Sequence, residues 1–335
     1  MREIEIHLRD ADRDLVTRVI KSIDPIDWAV FPVEQQDRVV IRVIIRAGRS
    51  QLLIDGIQAA LETCADWRVS VIPVEATLPE PEPLPDDKKR ESLEILREEL
   101  LDDVTKDAAL TQDYLILASL SAIVAAIGLN SDGVAAVIGA MVIAPLLGPI
   151  LGFSLAVGLG KFDLLRQSAI TLLAGLGVAL ATAFGLSFFV ELDLGSRELM
   201  SRTEVRLDSV ALALAAGGAA ALSMAQGKAA ALVGVMVAAA LLPPGAALGL
   251  FMGAGEWTLA MRSGLLLLLN VVCLVLSAQV IFRFKRIRPR GWIERKNASR
   301  AMWINAGVSL FFLLVFTVLI LFLDLGAEVK FPGDE

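Results

Sequence analysis

The chain has 335 residues, of which 56% are hydrophobic and 21% charged, and its mean hydropathy is +0.65. That is too apolar for an ordinary soluble domain and indicates a protein that crosses a bilayer several times. A formal net charge of -7, with no basic patch interleaved with aromatics, gives no reason to expect nucleic acid as a partner. Two cysteines in separate regions, Cys64 and Cys273, exclude a disulfide framework or a Cys-rich metal motif.

Residues 1–76 read as a small cytoplasmic α+β domain. REIEIHL (2–8) alternates as a strand, and 11–23 has helical spacing through Leu15, Val19, Ile20 and Ile23. WAVFPV (28–33) and RVVIRVIIR (38–46) are β-branched runs, 50–63 is a second helix, and 67–76 a last strand. The order β-α-β-β-α-β is that of a ferredoxin-like domain. Gly48 and Ser50 suit a turn and an N-cap before the second helix. His7, the only histidine, reads as a surface or edge-strand residue. The N-terminus has neither an apolar core nor a cleavage site, so it is not read as a signal peptide.

Residues 77–87, TLPEPEPLPDD, form a stiff Pro- and acid-rich linker. Residues 88–112 form an amphipathic juxtamembrane helix with Leu93, Leu96, Leu100 and Val104 on one stripe. Its largely acidic polar face suits packing on protein, across a homo-oligomer axis or as a solvated connector, better than binding lipid.

Charges then bound seven uncharged runs: 114–131, 133–160, 167–190, 209–227, 229–255, 263–282 and 301–323. Each is near the roughly 20 residues that span a bilayer. Six of them form two copies of three. A shift of 95 residues lays GAMVIAPLLGP, from Gly139, over GVMVAAALLPP, from Gly234, without a gap. Membrane repeat 1 is then 113–190 and repeat 2 is 208–285, followed by a basic loop (286–300), a final span (301–323) and a tail (324–335). Three spans per copy place the copies in opposite orientation, as in many transporters. The rival is a re-entrant hairpin at 133–160 and 229–255, which makes the copies parallel. Arg283, Lys285, Arg286, Arg288, Arg290, Arg295, Lys296 and Arg300 put the loop after the sixth run in the cytoplasm. Either topology then leaves the N-terminal domain cytoplasmic, on the inner (plasma) membrane.

No histidine lies in the membrane region, and no acidic residue lies inside the seven runs. That removes histidine zinc motifs and Ser–His dyads, so no catalytic residue, cofactor or metal site is expected and the chain is not read as an enzyme. What remains is broken helices and a few polar groups. Pro145, Gly148 and Pro149 interrupt one run, and Pro243, Pro244 and Gly245 interrupt its copy. A proline removes a helical hydrogen bond, which hydrocarbon tolerates only where the freed carbonyl is buried in protein or faces water. Asn130, Ser131, Gln226 and Lys228 stand at the starts of the two runs, either capping a loop or helping a helix N-terminus hold an anion. Unwound carbonyls at the prolines suit a cation. Asn270 is a lone polar group that needs an interhelical partner.

NSDGVAAVIGAMVIAPLLGPILG (130–152) and SMAQGKAAALVGVMVAAALLPP (223–244) resemble the two signatures of the bacterial and archaeal uncharacterised hydrophobic proteins, domain of unknown function 389. The resemblance covers about 112–285, and Gly245 follows Pro244 where the family pattern would have leucine. It implies a multi-span inner-membrane protein without implying a substrate. Two functions stay open: a transporter or channel for a small solute or ion, passing between the copies and regulated by the cytoplasmic domain, or an oligomeric scaffold or sensor whose soluble domain binds a ligand.

Overall fold

The computed structural model describes residues 1–33, 37–74, 77, 97–226, 231–285, 287 and 307. The run at 301–323 apart from Gly307, Lys228 and the tail lie outside the described residues, as do the linker apart from Thr77, residues 88–96 with Leu93 and Leu96 of the expected juxtamembrane helix, and the basic loop apart from Ile287. The chain divides into two compact units, Met1–Glu99 and Leu100–Glu335.

The first unit contains β1 (Arg2–Arg9), α1 (Arg13–Ile23), β2 (Asp27–Val33), β3 (Arg38–Ile45), α2 (Ala47–Ala60) and β4 (Arg68–Pro73). Its four strands are ordered β2-β3-β1-β4, and every pairing is antiparallel. Alternation in β1 buries Ile4, Ile6 and Leu8 against Val16 and Ile20 of α1 and Leu53 and Ile57 of α2. The opposite face is charged. Arg42 Nε donates to Glu5 at 3.1 Å, and His7 lies 2.7 Å from the same carboxylate. His7 thus sits in a central strand rather than at an edge. α2 starts earlier than its sequence indicates, so Ser50 lies inside it and donates to the Arg46 carbonyl at 3.2 Å instead of capping.

Asp66 has a φ of 60°, and its carboxylate accepts from Arg9 at 2.6 Å. That guanidinium holds the Asp66 carboxyl below its ordinary value. A depressed carboxyl pKa contributes stability above the unfolded-state value, and the contribution is lost as pH falls through the folded one. An NMR titration of the Asp66 carboxyl should therefore show a midpoint below the ordinary value of about 3.9. Arg9→Gln should return it to that value.

The second unit is helical: α3 (Arg97–Asp107, which begins before the division), α4 (Gln112–Asn130), α5 (Val134–Ile143), α6 (Leu147–Leu159), α7 (Phe162–Leu186), α8 (Arg197–Met200), α9 (Leu207–Ala225), α10 (Ala231–Gly253) and α11 (Trp257–Phe284). Among the described residues five helices are long and apolar enough to cross a membrane, and α5 with α6, bent by 53°, makes a sixth candidate span. The helix bounds carry the same offset of 95 residues: Gln112–Asn130 against Leu207–Ala225, and starts at Phe162 and Trp257. Gly160 and Gly255, which share that offset, end the middle segments with φ of 69° and 80°, a conformation that favours glycine.

Contacts fix the helix directions. Along α4 and α7 the Tyr114 hydroxyl packs on Gly175, Ser119 Oγ lies 3.2 Å from Thr182 Oγ1, and Asn130 reaches the Glu191 carbonyl just beyond α7. The two helices therefore run parallel, and α5 with α6 must carry the chain from one end of the bundle to the other. A hairpin returning to its entry side would have made α4 and α7 antiparallel. α10 runs parallel to α7, since Gly249 packs on Leu180 and Ala183, and Gly253 on Phe184 and Ser187. α11 runs antiparallel to α10, because Ala240 meets Asn270, Gly245 meets Leu267 and Leu248 meets Gly264.

Candidate functional site

The two proline-bearing segments have different structures. In the first copy, Ala144 is extended (φ -65°, ψ 120°), as the residue before a proline prefers, and α5 stops there. Pro149 is then the third residue of α6, in a first turn whose amides have no helical partner, so it removes nothing. The last carbonyls of α5 lack helical donors. Fully buried Ser121 donates at 2.7 Å to the Ala140 carbonyl just before them, which also keeps its helical donor, Ala144 N at 3.2 Å, whereas Pro145 leaves the next carbonyl, that of Met141, without one.

In the second copy the expected interruption is absent: α10 runs on through Pro243 and Pro244. Position 240, the counterpart of Pro145, is alanine, so nothing forces the chain out of the helix there. Pro243 and Pro244 still supply no N–H to the carbonyls of Ala239 and Ala240. Asn270 of α11 fills one gap, its Nδ2 donating to the Ala240 oxygen at 2.8 Å. That is the interhelical partner the lone asparagine requires. Side chains of neighbouring helices commonly re-satisfy carbonyls freed by prolines in this way.

The end of α3 also packs on the break through the backbone of Asp107. A Cβ on Gly148 would overlap the Asp107 carbonyl and lie 2.9 Å from Asp107 Cβ. α3 is held there by Gln167 Nε2, which donates to the Thr105 carbonyl at 3.1 Å, and by buried Thr171, whose Oγ1 donates to the Ala108 carbonyl at 2.9 Å. Burial, with Asp103 nearby, pushes the Asp107 carboxyl above its ordinary range. Sequence reading missed Asp107, Tyr114 and Ser121. The one signal available was a hydroxyl or carboxyl in line with an interrupted run on a neighbouring helix.

The candidate residues therefore separate into two sets. Pro145, Gly148 and Pro149 lie at the α5–α6 break, and Pro243, Pro244 and Gly245 are buried in mid-α10. Asn130 and Ser131 lie at the far end of α5, about 15 Å from the break at 1.5 Å per residue. Asn130 spends both amide atoms on the connection after α7: Nδ2 donates to the Glu191 carbonyl at 2.9 Å and Oδ1 accepts from Asp193 N at 2.8 Å. Ser131 donates to its own helix, to the Ile127 carbonyl at 2.8 Å, and Gln226 is the C-cap of α9. Asp132, with φ 53°, accepts from Glu198 N at 2.8 Å. Asn130, Ser131 and Asp132 fasten a loop. Asn130→Ala is expected to lower the thermal midpoint, at a cost of about 0.5–1.5 kcal/mol, since both of its bonds are solvent-exposed. Any flux, corrected for folded protein, should be unchanged.

The family model described as domain of unknown function (DUF389) matches residues 141–276, which include Pro145, the α5–α6 break, all of α10 and Asn270. An uncharacterized protein of Methanocaldococcus jannaschii is 32% identical over 259 residues, covering 75% of this chain and 80% of the relative. The chain belongs to this uncharacterised family of membrane proteins. No solved structure matches it.

Proposed function

We propose that this is a membrane transporter or channel for a small solute or ion, with its passage between two inverted copies of a three-span unit. The observation that carries the reading is that prolines inside both copies leave carbonyls without their helical donors, Met141 before Pro145 and Ala240 before Pro244, with a buried polar side chain at hand in each: Asn270 bonds to Ala240 itself, and Ser121 bonds to Ala140, the neighbour of Met141. Inversion is supported by helix direction, since α7 runs with α10 and α10 runs against α11. The basic residues after α11 favour a cytoplasmic position for that end of the bundle, which is also where α4 begins. The N-terminal unit, whose strand order supports a ferredoxin-like domain, then lies in the cytoplasm, where it regulates passage. The protein is a homo-oligomer of the inner membrane and has no catalytic role in this reading.

One observation favours the alternative, an oligomeric scaffold or sensor. Gly249 sets α10 so close to α7 that a Cβ would lie 2.6 Å from the Leu180 carbonyl oxygen, which is dry packing. Pure protein in liposomes, tested against a panel of ions and small neutral solutes, separates the two. Solute-selective flux above protein-free vesicles supports the passage, and no flux for any solute leaves the scaffold.

A further inference from the structure

Two acceptor atoms at the Pro243–Pro244 turn remain after Asn270 has bonded to Ala240. The first is Asn270 Oδ1. Its side chain is only 5% exposed, and the atom has no hydrogen-bond partner among the described residues. The second is the carbonyl oxygen of Ala239, whose helical donor would be the nitrogen of residue 243, a proline without a hydrogen. Consecutive helix carbonyls are offset by about 1.5 Å along the axis, so an amide fixed at Ala240 carries its free oxygen alongside this turn.

The first copy repeats the feature with different residues. The counterpart of Asn270, 95 positions earlier, is Gly175, and the space beside it is taken by the Tyr114 hydroxyl. Tyr114 is also 5% exposed, and its hydroxyl has no partner among the described residues. Ser121 meets Ala140 across the antiparallel α4 and α5, so Tyr114, two turns earlier on α4, stands level with the break.

These leftover groups are neutral oxygens, and no carboxylate lies within the runs that carry them. Acceptors repel an anion, and a divalent ion is ordinarily held with carboxylate help. A monovalent cation is coordinated by carbonyl, amide and hydroxyl oxygens alone. We infer that the Pro243–Pro244 turn binds a monovalent cation through Asn270 Oδ1 and the Ala239 carbonyl, with the Tyr114 hydroxyl serving the matching turn of the first copy. This rests on the passage proposed above and names its substrate class.

The test is equilibrium binding of radioactive rubidium to the full chain in lipid nanodiscs, at constant ionic strength held with N-methylglucamine. Saturable binding is expected, displaced by potassium or by ammonium but not by equal calcium. The more effective of the two displacers identifies the natural source as an alkali ion or ammonium. Asn270→Leu should weaken binding about tenfold. Pro243→Ala gives the Ala239 carbonyl an N–H donor, so it should raise the melting temperature and still weaken binding several-fold. A purely structural role for this turn predicts unchanged or tighter binding in that variant. Absence of saturable binding, displacement by calcium, or wild-type affinity in both variants would overturn the site. Rubidium flux into liposomes separates this inference from its parent: binding without flux keeps the site and removes the passage, and flux untouched by both substitutions does the reverse.

Discussion

Replacing Gly148 with alanine is expected to destabilise the membrane unit more than any other single added methyl tested at the helix breaks. The new Cβ would meet the carbonyl oxygen, the carbonyl carbon and the Cβ of Asp107, and the first two are backbone atoms that no rotamer change can remove. α3 is not free to retreat, because Gln167 and Thr171 hold the carbonyls on either side of that residue. The clash must be relieved by lifting the end of α3 or by shifting the first turn of α6. Overpacking of this kind costs about 1–3 kcal/mol. Gly158→Ala, in the same helix, is the control, since nothing lies within 4 Å of its added Cβ. There the helix-propensity gain of about 0.5–1 kcal/mol should leave stability unchanged or higher. Thermal unfolding of the purified protein in one detergent reads both. Equal midpoints for the Gly148 variant and the wild type would mean that α3 does not approach the break.

Much of this architecture can be read from local pattern. The alternation of Ile4, Ile6 and Leu8 and the helical spacing of Val19, Ile20 and Ile23 bring all six to one core, as hydrophobic periodicity requires, although Val16, which that spacing did not include, is buried with them. The 95-residue offset visible in GAMVIAPLLGP and GVMVAAALLPP reappears in the ends of α4 and α9 and in the two positive-φ glycines. Tertiary answers to local problems are what the sequence conceals. A proline announces a lost N–H, but whether the chain breaks depends on what replaces it. Pro145 forces Ala144 to extend, whereas Pro243 and Pro244 are carried inside a helix whose freed carbonyl at Ala240 is met by a residue 30 positions on. Asn130 illustrates the same limit. Its spacing suits an anion site, yet both amide atoms are taken by a connection 61 to 63 positions away.

The exchange of a proline's missing donor for a side-chain amide makes a sharp energetic claim about Asn270 and Pro244. Asn270→Leu leaves the Ala240 carbonyl buried without a donor, and the expected cost is about 1–2 kcal/mol, the upper part of the range for polar contacts between membrane helices. Pro244→Ala restores the N–H that a helix ordinarily offers to that same oxygen. The two replacements therefore act on one atom and should not add. In the Pro244→Ala background the leucine should cost clearly less than in the wild type, with a coupling of about 1 kcal/mol in a double-mutant cycle. Unfolding of all four proteins in mixed micelles supplies the cycle. Additivity within about 0.5 kcal/mol, the limit expected for independent sites, would mean that the amide is not standing in for the missing donor. Coupling of the expected sign would explain why α10 needs no break where α5 has one: its carbonyl is satisfied from the neighbouring helix, and the chain can stay helical through two prolines.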